Sequence, residues 1–324
     1  MTKTTVDGII LEVISMEYMT TKDAVKKWGI SERRIRQLLQ DGRIEGAIKM
    51  GNNWNIPSYA NKPLDKRNIK IEDNKFIFNL ENNFFDTVDQ LKKELDSKRP
   101  LPKDTLRTMQ ESINLEWTYH SNGIEGNTLT LRETQIVLEG ITIGGKTVKE
   151  HLEIINHEKA IYYLQTIVSD KNSIAEWNVK NIHSLILKNI DDKNAGTYRL
   201  SNVVIKGAKH IPPSYLIVPQ LMEKLILKYK LWNNYHPIIR ASLLHGELVK
   251  IHPFIDGNGR TSRLIMNLDL MNSGYSPVII RKEQRLEYYE ALDKAHVTGD
   301  YTDFVKFITE LEIEMLEKYL NLVK

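Results

Sequence analysis

The chain has 324 residues, no cysteine and a formal net charge of +3. That length can bury a sizeable core and hold more than one domain. The missing thiols exclude disulfides, thiolate zinc sites and cysteine nucleophiles. No apolar run approaches a membrane span, and the opening Met-Thr-Lys-Thr-Thr-Val-Asp-Gly lacks a signal peptide's apolar core, so a cytoplasmic protein with no membrane partner is expected.

The mild total hides an asymmetry, because residues 20–67 carry 11 Lys/Arg against 5 Asp/Glu. Residues 20–28 read as a short helix capped by Thr20, with Asp23 in its first turn and Gly29 at its end. Ser31 caps a second, Glu-Arg-Arg-Ile-Arg-Gln-Leu-Leu-Gln, which carries Arg33, Arg34 and Arg36. Ala24, Ile35, Leu38 and Leu39 supply a shared apolar face. Residues 47–57 then read as a hairpin turning at Gly51-Asn-Asn, with Trp54 packed beneath it. This stretch resembles the winged helix-turn-helix of excisionase- and MerR-like domains, which implies DNA as a partner through residues 20–60 and a dimer on paired half-sites. A domain over 1–65 is expected, followed by 66–104 as a polar linker (60–75 most clearly) and short helices.

Proline at 100 and 102 interrupts the pattern before a long helix, 105–124, which runs into Ser121-Asn-Gly-Ile-Glu-Gly. Read alone, Glu125 there is a solvated acid at a helix end. Helices follow over 131–190. Residues 203–211 change period, with Val203, Val204 and Ile205 β-branched ahead of Lys206 and Gly207 available for a turn, which predicts a small hairpin closed by Pro212-Pro213. Helices are again expected over 218–232, 237–251, from 260, from 285, and over 301–324. His245 is read as a packing residue.

Residues 252–263 read His-Pro-Phe-Ile-Asp-Gly-Asn-Gly-Arg-Thr-Ser-Arg. Gly257 and Gly259 can turn consecutive N–H groups into a concave anion nest at a helix start, suited to phosphate. Arg260 and Arg263 lie one turn apart, near enough to serve one polyanion. Asp256 can hold Mg²⁺ bridging phosphate oxygens. His252 is the group that can take a proton near neutral pH.

This stretch matches every fixed position of the signature His-x-Phe-x-Asp/Glu-Gly-Asn-Gly-Arg-x-x-Arg, and residues 105–324 resemble the Fic domain family. The resemblance implies a mainly α fold, a helical bundle with a β-hairpin flap at 203–211 that docks a protein target. It implies transfer of AMP from ATP to a Ser, Thr or Tyr hydroxyl. His252 would be the base, and Asp256 would hold Mg²⁺. Gly257, Asn258, Gly259, Arg260 and Arg263 would bind the phosphates, Phe254 would anchor the loop, and Tyr288 and Tyr289 would line the adenine pocket. At 296, where adenylylating relatives often have asparagine, stands His296. Ser121-x-x-x-Glu125-Gly126 is similar to the family's inhibitory pattern, which implies an inhibitory helix near 113–127 whose Glu125 pairs with Arg263. Two alternatives stay open: a nucleotide-sensing DNA-binding regulator with little turnover, and removal of AMP from modified protein. Homodimerisation is a further expectation of this arrangement.

Overall fold

The structure is a computed structural model that describes residues 3–6, 9–12, 18–40, 43–44, 46–51, 53–58, 60, 62–63, 76–169 and 174–323. The chain divides into two compact units, residues 1–70 and 71–324. Most of the polar linker expected over 60–75 lies outside the described residues, as does Asn52 of the expected hairpin turn.

In the first unit, β1 (Lys3–Val6) pairs antiparallel with β2 (Ile9–Glu12). The sequence reading passed over this hairpin, although Asp7-Gly8 between the strands is a strong short-range turn signal. α1 (Thr21–Trp28) opens with the expected capping box: Asp23 N–H donates to Thr20 Oγ1, and Thr20 N–H donates to Asp23 Oδ2. Gly29 closes it at φ +62°. α2 (Glu32–Gln40) buries Ile35, Leu38 and Leu39 against Ala24 and Trp28. β3 (Tyr18–Met19), β4 (Ile48–Met50) and β5 (Asn53–Pro57) form an antiparallel sheet in the order β3-β5-β4, with Trp54 half-buried on the same core.

The second unit is helical. α3 (Asp86–Ser97), α4 (Lys103–Ile124), α5 (Leu131–Leu138), α6 (Val148–Ser169) and α7 (Glu176–Leu187) precede an irregular stretch. α8 (Val218–Leu231), α9 (Pro237–Ile251), α10 (Asn258–Asn272), α11 (Arg285–Thr298) and α12 (Thr302–Leu322) complete it. Phe76–Leu80 is extended and ties to the α11–α12 junction, with Ile77 N–H on Gly299 O and Tyr301 N–H on Ile77 O.

α10 is the centre of this unit. Its residues 260–270 are all buried, with α4, α6, α7 and α9 packed around it. A helix enclosed in this way finds partners for most of its polar side chains inside the protein. Asn267 does so with both its amide groups, on Val278 O and Val278 N–H. Asp269 accepts from the Arg240 fork at 2.8–3.2 Å and from Tyr229 OH at 2.6 Å.

One local expectation changes. The predicted hairpin over 203–211 forms its turn, with Ala208 N–H on Ile205 O, but no strands. Its arms are tied to side chains instead. Lys209 and His210 N–H both donate to Asp293 Oδ1, and Tyr215 N–H donates to Asn202 Oδ1. Asp293 thus takes up two backbone N–H groups of the second arm.

Removing the Asp269 carboxylate by Asp269→Ala would strand the partly buried Arg240 and Tyr229. We expect a loss of about 3–5 kcal/mol in denaturant unfolding, the cost of breaking a buried pair from one side.

Candidate active site

α9 ends at His252, which closes the helix in a left-handed conformation, φ +50° and ψ 60°. For a residue with a side chain that conformation costs on the order of 1 kcal/mol and needs support from around it. His252 N–H donates to Leu248 O, and its own carbonyl accepts from Arg199 Nε at 2.8 Å. Burial pushes the imidazole down to about 4, with the Arg199 cation adding to that against the opposing pull of the Val249 carbonyl and the Glu125 carboxylate. At neutral pH the ring is therefore uncharged and able to accept a proton.

The loop from 253 to 257 is held by side chains folded back on it. Asn258 clamps Phe254 at both ends, accepting from its N–H and donating to its carbonyl, each at 2.9 Å. Phe254 is fully buried and stacks on His183, with centroids 3.6 Å apart. His183 Nδ1 accepts from Gly196 N–H, so its Nε2–H faces Asp256 O at 2.9 Å. Burial pushes this ring down to about 4 as well, which keeps that tautomer in place. Gly257 then turns at φ +74° into α10. The first N–H groups of α10, on Asn258, Gly259 and Arg260, have no intrahelical acceptors and share the helix's positive end.

The arginines divide in their surroundings. Arg260 is buried between two carboxylates, Glu153 Oε1 at 3.3 Å and Asp256 Oδ1 at 3.6 Å. Glu153 is in turn held by Asn127 Nδ2 at 3.0 Å. Arg263, 3% exposed, donates from Nε to Ser121 Oγ at 3.1 Å, and from Nη2 to Ser121 O and Glu125 Oε1, both at 2.8 Å. The two members of that ion pair lie 138 positions apart in the chain. Glu125 caps α4 and occupies the space in front of Gly259, where an added Cβ would collide with Glu125 Oε1.

Several expected roles change with these positions. The Asn258 side chain is spent on Phe254, so only its backbone N–H faces an arriving phosphate. Arg260 is enclosed by Glu153 and Asp256 and acts from within the wall. Tyr288 is 1% exposed, with its ring beneath the Arg263 guanidinium and its hydroxyl on His245 Nε2 at 2.9 Å. It supports Arg263 and lines no open pocket, whereas Tyr289, 39% exposed, presents a ring beside the Glu125 charge. His245 is a packing residue, as expected. His296 is buried with Nε2 on Gly246 O at 2.9 Å. The sequence reading missed His183, Arg199 and Glu153. A lone histidine, arginine or glutamate on a helix or loop carries no spacing signal, and each acts through backbone groups or partners distant in sequence.

No three His, Asp or Glu side chains converge on a possible metal site among the described residues. The Asp256 side chain is about half exposed at the start of α10, its Oδ1 accepting from Gly257 N–H at 2.6 Å and its Oδ2 4.0 Å from Lys149 Nζ. One carboxylate beside a phosphate site suits Mg²⁺, which takes few protein ligands and fills its shell from phosphates and water.

A pH dependence follows from the depressed imidazoles. The folded pKa of His252 lies near 4, below its ordinary 6.5, so the unfolded chain binds more protons between those values. Stability is fully present above pH 6.5 and is lost as pH falls towards 4. In denaturant titrations, His252→Asn is expected to lose less stability across that window than the parent chain.

A model of the Fic/DOC family matches residues 173–270, inside the helical unit. The chain is 40% identical over 222 residues to "Protein adenylyltransferase Fic" of Drosophila grimshawi, covering 66% of this chain and 44% of that protein. It is 38% identical over 239 residues to the protein of the same name from Drosophila melanogaster, covering 70% and 47%. The chain thus spans about half the length of the curated relatives it matches. Fic-1 (aa134–508) from C. elegans superposes with a TM-score of 0.67 at 32% identity, over 74% of this chain and 71% of that one. A Fic domain containing signaling protein from Bacteroides thetaiotaomicron does so with a TM-score of 0.68 at 28% identity, over 73% and 96%. With the loop from His252 to Arg263 wrapped around the start of α10 as the signature requires, and a relative matched over most of its resolved length, this chain belongs to the Fic/DOC family.

Proposed function

We propose that the chain is a protein adenylyltransferase that moves AMP from ATP to a Ser, Thr or Tyr hydroxyl of a protein, held in check by Glu125 on Arg263. The observation that carries the braked form is the 2.8 Å Glu125–Arg263 ion pair at the open end of α10. The reading draws further support from the similarity to proteins named as adenylyltransferases.

The phosphates lie against the N–H groups of Asn258, Gly259 and Arg260, where the α10 dipole favours negative charge. Asp256 would hold Mg²⁺, whose charge would offset that of the phosphates. Tyr289 offers its exposed ring to the adenine. The neutral His252 takes the proton of the attacking hydroxyl. An oxygen–phosphorus bond forms at the α-phosphate, the bond to the β-phosphate oxygen breaks, and pyrophosphate leaves with the two electrons. Arg263 stabilises the charge that develops on the leaving group. While Glu125 occupies the Arg263 fork, its carboxylate repels a γ-phosphate arriving there. Residues 203–205, ahead of the turn, pair with no strand among the described residues, which suits pairing with a target backbone.

The N-terminal unit supports a second activity of the same chain. Its capped helix pair, basic α2 and short β4–β5 hairpin suit DNA, with a homodimer engaging paired half-sites. Among the described residues no helix is long and apolar enough to cross a membrane. The cysteine-free composition agrees with a cytoplasmic setting.

Labelled ATP and Mg²⁺ test the transferase directly. Glu125→Gly is expected to modify itself at least about 100-fold faster than the parent, and Glu125→Gly/His252→Ala to lose that gain while still binding ATP. Absence of labelling from all three chains, with ATP bound, would favour a nucleotide-gated DNA binder. A companion prediction concerns affinity: saturating ATP should raise the melting temperature of Glu125→Gly more than that of the parent, because ligand stabilisation scales with how far binding is unopposed.

A further inference from the structure

The segment proposed to dock the target and the histidine proposed to take its proton are joined by one buried side chain. Arg199 is 2% exposed. Its Nε donates to His252 O at 2.8 Å, its Nη1 to Ser201 O at 2.8 Å, and its Nη2 to Pro213 O. Its own backbone N–H donates to Pro253 O at 2.9 Å. One guanidinium therefore grips the carbonyl of His252 and both roots of the 203–211 segment.

We propose that Arg199 is a positioning residue that registers the target-docking segment on the backbone of His252. This rests on the transferase reading for the meaning of the two ends, though not for the coupling itself. The argument is geometric. A guanidinium presents its donors in one rigid plane, so three carbonyls bonded to it are fixed relative to one another. His252 sits in a left-handed conformation at the end of α9, where rotation of its peptide would swing the imidazole. The 203–211 segment lacks a ladder of its own and hangs from Arg199 at its roots, from Asp293 at the Lys209 and His210 N–H groups, and from Lys250 O through His210 Nε2 at 2.9 Å, so that the Arg199 guanidinium is bonded to both of its ends. The distance between a docked hydroxyl and the imidazole is then set by Arg199, and an error of about 1 Å there can cost on the order of 100-fold in rate. A lysine would keep the charge without the plane.

Hydrogen exchange on the full chain tests the coupling without reference to activity. In the Glu125→Gly background, Arg199→Gln is expected to speed amide exchange in 201–213 and in 252–257 together, leaving α12 protected, with Arg199→Lys in between. Faster exchange in one segment alone, or in neither, would overturn the proposal. If Arg199→Gln loses protection in α12 as well, Arg199→Lys decides by the same criterion. Transfer is read on an added His252→Ala copy of the chain as acceptor. The Arg199→Gln rate should fall on the order of 100-fold, with a higher half-saturating acceptor concentration and unchanged ATP affinity. Parent-like transfer kinetics in Arg199→Gln would also overturn it. Should Glu125→Gly itself fail to label the acceptor, the transferase reading falls, and the paired exchange result still decides whether Arg199 couples the two segments.

Discussion

A guanidinium in the middle of a helical bundle has to be answered by oxygen atoms, and Arg263 is such a group. An uncompensated buried charge costs several kcal/mol, so the elements around it are constrained to deliver acceptors. α4 supplies them from its last turn, through Ser121 and Glu125. Below lie Tyr288 and His245, and to the side His157. Burial keeps both histidines uncharged beside the arginines. Arg263 Nη1 is buried without a hydrogen-bond acceptor among the described residues.

The rest of the site is built by holding backbone. Asn258 makes two bonds to main-chain groups of the loop that carries His252 and Asp256, and the His183 and Arg199 side chains each make one there and reach main chain elsewhere with their remaining groups. Around these main-chain clamps the Asp256 carboxylate and the Tyr289 ring are among the groups left exposed. The division between buried supports and a sparse outward face is what preorganisation requires, because supports that are locked by packing do not have to reorganise when charge develops.

Much of this was legible in the sequence, for identifiable reasons. Local rules acted where the deciding contact spans a few residues: the Thr20–Asp23 box, the Gly29 stop, the glycine turn into α10. The signature stretch was legible because its chemistry is concentrated in twelve consecutive positions. Reading failed where a residue's partner is distant or its direction matters. Asn258 and Tyr288 were assigned to the ligand, yet their side chains point inward to Phe254 and His245. The β-branched run at 203–206 suggested strands, but a two-stranded ladder lost to the Asp293, Asn202 and Arg199 acceptors and donors nearby. His183 and Glu153 gave no signal, since a single polar residue within a helix looks the same whether it braces a loop or faces water.

Gly259 answers two demands at once. The nest needs a residue without a side chain so that a phosphate can approach the backbone, and the Glu125 carboxylate already stands where such a side chain would begin. Under the proposed reading, an incoming phosphate would need the space that Glu125 already fills, so the two anions would compete by volume as well as by charge. Salt that screens their mutual repulsion would then leave the competition for space in place.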